Sequence, residues 1–312
     1  MSEEPTTGLA ASAPRMAMAP RVARATRLRA LLQAARPHQW LKNVLVLAAP
    51  GAAGALLDPA VLARSGAAFV CFCLVASGTY LLNDAIDVEA DRLHPRKRSR
   101  PVAAGLIGVG AAKAWALALL AGGIGLALLV APRLAVVLAV YVVVMQSYTL
   151  WLKNHAVIEL AIVSSGFVLR AIAGGAATGV EISTWFLIVT SFASLFIIVG
   201  KRQAERLTLG TGATAHRRVL AEYPSGFLEV LGGIAAGVAI IAYCLWSLLG
   251  VDNGHLWFEL SIIPFVLAML RYALVAAHGR AGAPEDVFLS DRTLQVLGLL
   301  WAGAYAAGVY AG

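Results

Sequence analysis

Between Asn83 and Pro101 the chain reads NDAIDVEADRLHPRKRSRP, acidic residues and then basic ones directly behind an apolar run. If the preceding helix continues, at about 100° per residue, Asn83, Asp84, Asp87 and Asp91 fall within an arc of roughly 100° while Glu89 points away. Carboxylates this close cannot all stay ionised without a cation. Hard oxygen ligands on one face suit Mg²⁺, which keeps waters and bridges to substrate phosphates. The spacing fits a metal-diphosphate site; the alternative is a solvated helix end whose acids pair with Arg92, Arg96 and Lys97. Pro95 and Pro101 keep the following HPRKRSRP out of helix. Its guanidinium groups, together with Arg92, are either donors to metal-held phosphates, with Arg92, Arg98 and Arg100 as the candidates, or a plain positively charged loop.

Further candidates stand outside this stretch. Tyr148, Lys153 and Glu159 flank a predicted turn between two apolar runs, where a lysine is either an interfacial anchor or a catalytic cation. Arg170, on the same helical face as Glu159 but about 16 Å deeper, is costly in a membrane unless it is paired or lines a polar cavity. Arg36, Trp40, Lys42 and Asn43 form a compact interfacial set, in which Lys42 and Asn43 are the residues to reach a lipid phosphate. In GKRQAER, Lys201 and Arg202 are candidates for a substrate phosphate, or anchor a helix end. Asp286 and Asp291 read as helix-start signals, with Pro284 ahead of the acids and Ser290 as a cap.

These residues must be positioned inside a membrane. The 312 residues are 60% hydrophobic and 13% charged with mean hydropathy +0.77, against roughly 25% charged in soluble domains. Nine apolar runs near the length of a spanning helix are predicted at 42–57, 66–86, 106–130, 133–152, 157–178, 184–200, 227–250, 257–277 and 292–311. The expectation is an all-α, polytopic bundle of nine helices, forming one catalytic domain over 36–312. Residues 1–35 precede it as a disordered tail or, from Arg21 to Ala35, a basic amphipathic helix. With the N-terminus inside, the basic loops fall on the cytosolic side and the outer side keeps little more than Arg64 and Arg133. The active site is therefore expected at the cytosolic face of the plasma membrane. The net charge of +8 is explained by topology and anionic partners, and nucleic acid is not expected. Cys71, Cys73 and Cys244 lie inside apolar runs as packing residues. Small-residue faces such as AGGIGLA let helices approach closely and permit self-association.

Asn83-Asp84-x-x-Asp87-x-x-x-Asp91 resembles the first aspartate-rich motif of the UbiA superfamily of intramembrane prenyltransferases. RPHQWLKNVLVLAAP at 36–50, YLLNDAIDVEADRLHPRKRSRPVAAG at 80–105 and VSSGFVLRAIAGG at 163–175 are similar, more narrowly, to the actinobacterial branch that uses phosphoribosyl diphosphate. That resemblance implies Mg²⁺-dependent transfer of 5-phosphoribose to a polyprenyl phosphate, decaprenyl phosphate, for cell-wall arabinan. Asp84, Asp87 and Lys153 would be catalytic. A second aspartate-rich motif, carried by the aromatic prenyltransferases, is reduced here to Glu159. An ordinary prenyl-diphosphate transferase and a polyprenyl-phosphate flippase are the competing expectations.

Overall fold

A computed structural model describes residues 24–95, 97–209, 218–250 and 255–311, and every regular element among them is helical. In chain order these are α1 (Arg24–Ala35), a 3-10 segment (Pro37–Leu47) running into α2 (Ala48–Ala52), α3 (Pro59–Ile86), α4 (Val88–Leu93), α5 (Val109–Val130), α6 (Pro132–Leu150), α7 (Ile158–Thr178), α8 (Thr184–Leu209), α9 (Phe227–Leu249), α10 (His255–Ala277), α11 (Pro284–Ser290) and α12 (Arg292–Tyr310). Eight of them, α3, α5 to α10 and α12, are long and apolar enough to cross a membrane. The chain is a multi-pass membrane protein.

Each long helix falls on a predicted run. α3 starts earlier than expected because the Asp58 carboxylate accepts hydrogen bonds from the Ala60 and Val61 N–H groups at 2.7 and 3.4 Å, with Pro59 at the first helical position. α8 continues past Gly200 through KRQAERLTL, since that run contains good helix formers and no breaker. The run 42–57 behaves differently. It is not one long α-helix but an 11-residue 3-10 stretch followed by five α-helical residues. The tighter winding rises about 2.0 Å per residue, so Pro37–Ala52 extends roughly 30 Å, the thickness of a hydrocarbon core. This segment is long enough to serve as the ninth crossing. It presses against α7 at Gly174, where a Cβ would sit 1.9 Å from the Val46 carbonyl oxygen.

α3 is the central element. Its buried face (Ala68, Cys71, Phe72, Val75) packs with Leu134, Leu138 and Tyr141 of α6, Ala127 of α5 and Ala173 and Ala177 of α7. The described part of the N-terminal segment includes α1, whose Ala30 and Ala34 join Leu81, Ala85, Ala112 and Ala116 in a second cluster. Residues 1–23 lie outside the described residues. α8 and α10 share a core through Phe196, Ala204, Tyr272 and Val275. The alternating helices bring the ends of α3, α6, α8 and α10 and the starts of α7 and α9 to one side of the bundle, where ion pairs and a Gln203–Glu229 hydrogen bond cross between them.

Candidate active site

α3 ends at Ile86, Asp87 breaks the helix at φ −86° and ψ 9°, and α4 resumes at once. The backbone bonds from Asp87 N–H to Asn83 and from Asp91 N–H to Asp87, at 2.9 and 2.8 Å, keep the turn almost helical. The acids do not converge on one point. Asp84, 1% exposed, accepts from Arg36 at 2.6 Å and from Arg100 at 3.1 Å, through the same oxygen, Oδ1. Arg100 also donates to Asp91 Oδ2 at 2.7 Å. Asp87, a third exposed, faces Lys153 across the α6–α7 connection at 3.3 Å. The Asn83 side-chain carbonyl accepts from Gln146 at 3.2 Å. Glu89 points away, as expected, and pairs with Arg92.

Of the basic loop, only Arg100 among Arg92, Arg98 and Arg100 turns onto Asp84. Arg92 hydrogen-bonds Glu89 and the Ala103 carbonyl, and Arg98 is exposed. Arg36, Gln39, Asp84, Ser99 and Arg100 border a cavity of about 240 Å³. Arg36 occupies a left-handed turn (φ 54°) between α1 and the 3-10 segment and stacks over the Tyr80 ring.

A second polar group lies deeper. Arg170, buried, donates to Asn43 Oδ1 at 2.8 Å, to the Tyr141 hydroxyl at 3.2 Å and to the Gly166 carbonyl, and its guanidinium lies against the rings of Phe72, Tyr141 and Phe167. Asn43 in turn donates to the Cys73 sulfur. Lys42 hydrogen-bonds Gln39 and pairs with Glu285 of α11 at 3.3 Å, while Gln39 donates to the same Glu285 oxygen at 2.8 Å. Burial alone would raise the Glu285 carboxyl; the Lys42 charge and its hydrogen-bond donors outweigh that and hold it below the ordinary carboxylate range.

Glu159 and Arg202 are brought together rather than toward the cavity. They form a buried ion pair at 2.8 Å, and Arg202 reaches Glu205 at 3.0 Å as well. Tyr223 donates to Glu159 at 3.4 Å and accepts from the Val157 N–H at 3.0 Å; burial pushes its phenol up to about 12. Val157 (φ 66°) is the strained centre of a three-residue turn closed by Ile158 N–H to the Ala156 carbonyl. This network fixes the start of α7 to the end of α8. Tyr148 lies within electrostatic reach of Arg202. Asp291, not Ser290, caps α12, accepting from Leu294 N–H at 3.0 Å, because the Ser290 hydroxyl bonds back to the Asp286 carbonyl.

Residues 44–299 match the UbiA prenyltransferase family. The chain belongs to that family. Among its UbiA relatives, the decaprenyl-phosphate phosphoribosyltransferase of Corynebacterium glutamicum is 46% identical over 288 residues, covering 90% of this chain and 86% of the relative. The enzyme of the same name from Mycolicibacterium smegmatis is 45% identical, covering 90% and 92%. A UbiA homologue from Archaeoglobus fulgidus, solved with GPP and Mg²⁺, superposes with a TM-score of 0.65 at 17% identity, covering 90% of this chain and 98% of that one. A digeranylgeranylglyceryl phosphate synthase structure gives 0.66 at 18%, covering 92% and 99%. These two share the UbiA fold.

Whether the UbiA site here suits a divalent cation is a question of donors. Asp84 Oδ2 is buried with no hydrogen-bond partner among the described residues, an oxygen of the kind a hard cation takes. Asn83 and Asp87 offer oxygens on the adjoining turn. Among the described residues no three His, Cys, Asp or Glu side chains form a ready ligand group. Mg²⁺ characteristically binds through one or two carboxylates plus substrate phosphates rather than in an all-protein cage, so the donor set fits it. Asp91 differs, being turned to Arg100.

Sequence reasoning missed Gln39, Gln146, Tyr223 and Glu285, and left Arg36 as an interfacial residue. Only Arg36 carried a signal, a cation beside the Trp40 and Lys42 set. The others are single polar residues, and their partners across the fold lie 63 to 246 positions away.

Proposed function

We propose that this UbiA-family chain transfers 5-phosphoribose from phosphoribosyl diphosphate to decaprenyl phosphate in the plasma membrane, with its site on the cytosolic side. The observation that carries the reading is the 45–46% identity, over nine-tenths of the chain, to relatives of that name. The geometry agrees with it. An acidic pole with one unpartnered carboxylate oxygen stands beside a pole of buried cations, one suited to a metal-borne diphosphate and the other to a phosphate monoester.

In the reaction an oxygen of the acceptor phosphate attacks C1 of the ribose while the C1–O bond to diphosphate breaks, and the electron pair leaves with diphosphate. The acceptor is already an anion, so no general base is needed. Mg²⁺, when bound, neutralises the developing charge of the leaving group. Asp84 and Asp87, with Asn83, would hold the metal. Arg36 and Arg100 border the cavity and donate to the diphosphate, and Asp91 keeps Arg100 aimed there. Lys153, next to Asp87, adds a cation at the leaving group. Lys42 and Lys201 meet the acceptor phosphate above the Asn43–Arg170 pair, while Arg202 and Glu159 set the helix ends.

Purified protein given labelled phosphoribosyl diphosphate, polyprenyl phosphate and Mg²⁺ is expected to yield a lipid-extractable ribosyl product with stoichiometric diphosphate. Turnover of a prenyl diphosphate with an aromatic acceptor instead, or movement of polyprenyl phosphate across liposomes with no diphosphate released, would overturn the assignment.

A further inference from the structure

Glu285 opens α11, the short helix between the last two membrane helices, and turns inward. Its Oε1 accepts from Gln39 at 2.8 Å and faces Lys42 at 3.3 Å. Its Oε2 is buried with no hydrogen-bond partner among the described residues. An acid so placed is held by charge and not by a complete set of donors, and an unsatisfied buried oxygen is costly. The cations around it outnumber it. Lys42 is within electrostatic reach of Arg170, and Lys201 of Lys42, Glu205 and Glu285. The hydrogen bonds of Arg170 all go to neutral groups. Among the described residues Lys201 makes no hydrogen bond or ion pair, whereas Arg202 beside it is matched by Glu159 and Glu205. Lys42 and Lys201 therefore share Glu285, with the Arg170 charge close to Lys42 and the Glu205 carboxylate near Lys201 already bound by Arg202, in a low-dielectric interior, a balance that calls for a further anion.

We propose that Glu285 is a displaceable counter-ion and a specificity-determining residue: its carboxylate holds the position over Lys42 until a dianionic phosphate monoester takes it. The proposal rests on reading Lys42 and Lys201 as the acceptor-phosphate subsite. Its consequence is selectivity against the surrounding membrane. A phospholipid phosphodiester carries one negative charge, no more than the Glu285 carboxylate, and gains nothing by displacing it. A prenyl phosphate carries nearly two at neutral pH, since a phosphate monoester loses its second proton near pH 6. The carboxylate thus taxes every anion equally and is overcome only by the more highly charged one, a repulsive element that buys discrimination at a cost in affinity.

The test is direct binding of farnesyl phosphate to the detergent-solubilised full chain, without donor, with and without phosphatidylglycerol in the micelles. Wild type is expected to bind farnesyl phosphate with little effect of phosphatidylglycerol. Glu285→Gln is expected to bind it about 10-fold more tightly in plain detergent, and to lose that gain as phosphatidylglycerol is added. Glu285→Asp keeps the charge and is expected to retain the wild-type insensitivity to phosphatidylglycerol. Unchanged or weaker binding by Glu285→Gln, with a melting temperature near wild type, overturns the proposal, as does phosphatidylglycerol competing equally with both proteins. If Glu285→Gln fails to fold, Glu285→Asp that has become sensitive to phosphatidylglycerol overturns it as well. The donor is absent, so these outcomes are read separately from phosphoribosyl transfer. A wild type that binds farnesyl phosphate as expected but makes no ribosyl lipid would sink the proposed reaction and leave the counter-ion standing.

Discussion

Asp84 and Asp87 sit one helical turn apart yet do different work for the fold. Asp84 is 1% exposed and is the shared anion of Arg36 and Arg100, so its removal leaves two cations facing each other beside the cavity. Asp87 is a third exposed and, among the described residues, pairs with Lys153, and an exposed pair of that kind contributes less than about 1 kcal/mol. The two variants should therefore separate chemistry from stability. Asp87→Asn is expected to melt within a degree or two of wild type while transfer falls about 100-fold, the scale of losing one electrostatic group at a reacting centre. Asp84→Asn should lose transfer to a similar or greater extent and also melt lower. Thermal unfolding alongside the labelled-product assay checks both, and near-full activity in Asp87→Asn would remove it from the metal site.

At the level of helices, close approach and capping carry the argument. The 3-10 segment Pro37–Leu47 brings Gln39, Lys42 and Asn43 to the site, and it lies where it does because Gly174 of α7 has no side chain. A Cβ there would be 1.9 Å from Val46 O and 3.1 Å from Pro50 Cδ, and backbone cannot rotate aside. Gly174→Ala is expected to lower transfer more than 10-fold and to reduce the melting temperature. Gly237→Ala in α9, with nothing within 4 Å, should be neutral or stabilise by about 0.5–1 kcal/mol. A Gly174→Ala protein indistinguishable from wild type would mean that the segment is free to move. Asp291 supplies a second case. Hydrogen bonds from Arg271, then from Leu294 N–H, hold its carboxyl below the ordinary range. A depressed carboxyl stabilises fully above its unfolded value of about 4 and loses that contribution only as pH falls through the lower folded value. Asp291→Ala should cost about 0.5–2 kcal/mol, constant from pH 8 to 5 and shrinking only in stronger acid. Melting curves of wild type and variant across that range show whether the gap behaves so. The long helices were legible in the sequence because about 20 apolar residues leave one outcome in lipid. The winding of the run at 42–57 was not, because hydropathy does not report whether a segment of this length is α-helical or, as over Pro37–Leu47, 3-10.

Across the whole molecule, what the sequence revealed was which residues were charged and on which side of the bundle they would gather; what it hid was who pairs with whom. Asp84 meets Arg36, 48 positions earlier, and Lys153 meets Asp87 across 66. Such partners are chosen by packing, and nothing local to either residue marks them. The expected single acidic face divided accordingly: Asp91 turned to Arg100, Asp87 to Lys153, and Asp84 kept one oxygen unpartnered. This division makes the donor a cross-link. In the proposed site, phosphoribosyl diphosphate held by Arg36, Arg100 and Lys153 and, through the metal, by Asp84 would tie the turn after α1, α3, the α4–α5 connection and the α6–α7 connection together, so its binding should stabilise that whole end of the bundle. At a concentration 100 times its Kd a ligand that binds only the folded state contributes about 2.7 kcal/mol. At about 2–4 °C per kcal/mol for a chain of a few hundred residues, melting should rise by about 5–10 °C. The rise should require Mg²⁺ and disappear with EDTA, because the diphosphate reaches Asp84 and Asp87 through the metal. In Asp84→Asn the curve should stay flat at every donor concentration. An equal rise in EDTA would mean that the arginines alone hold the donor, and the acidic pole would then need another purpose.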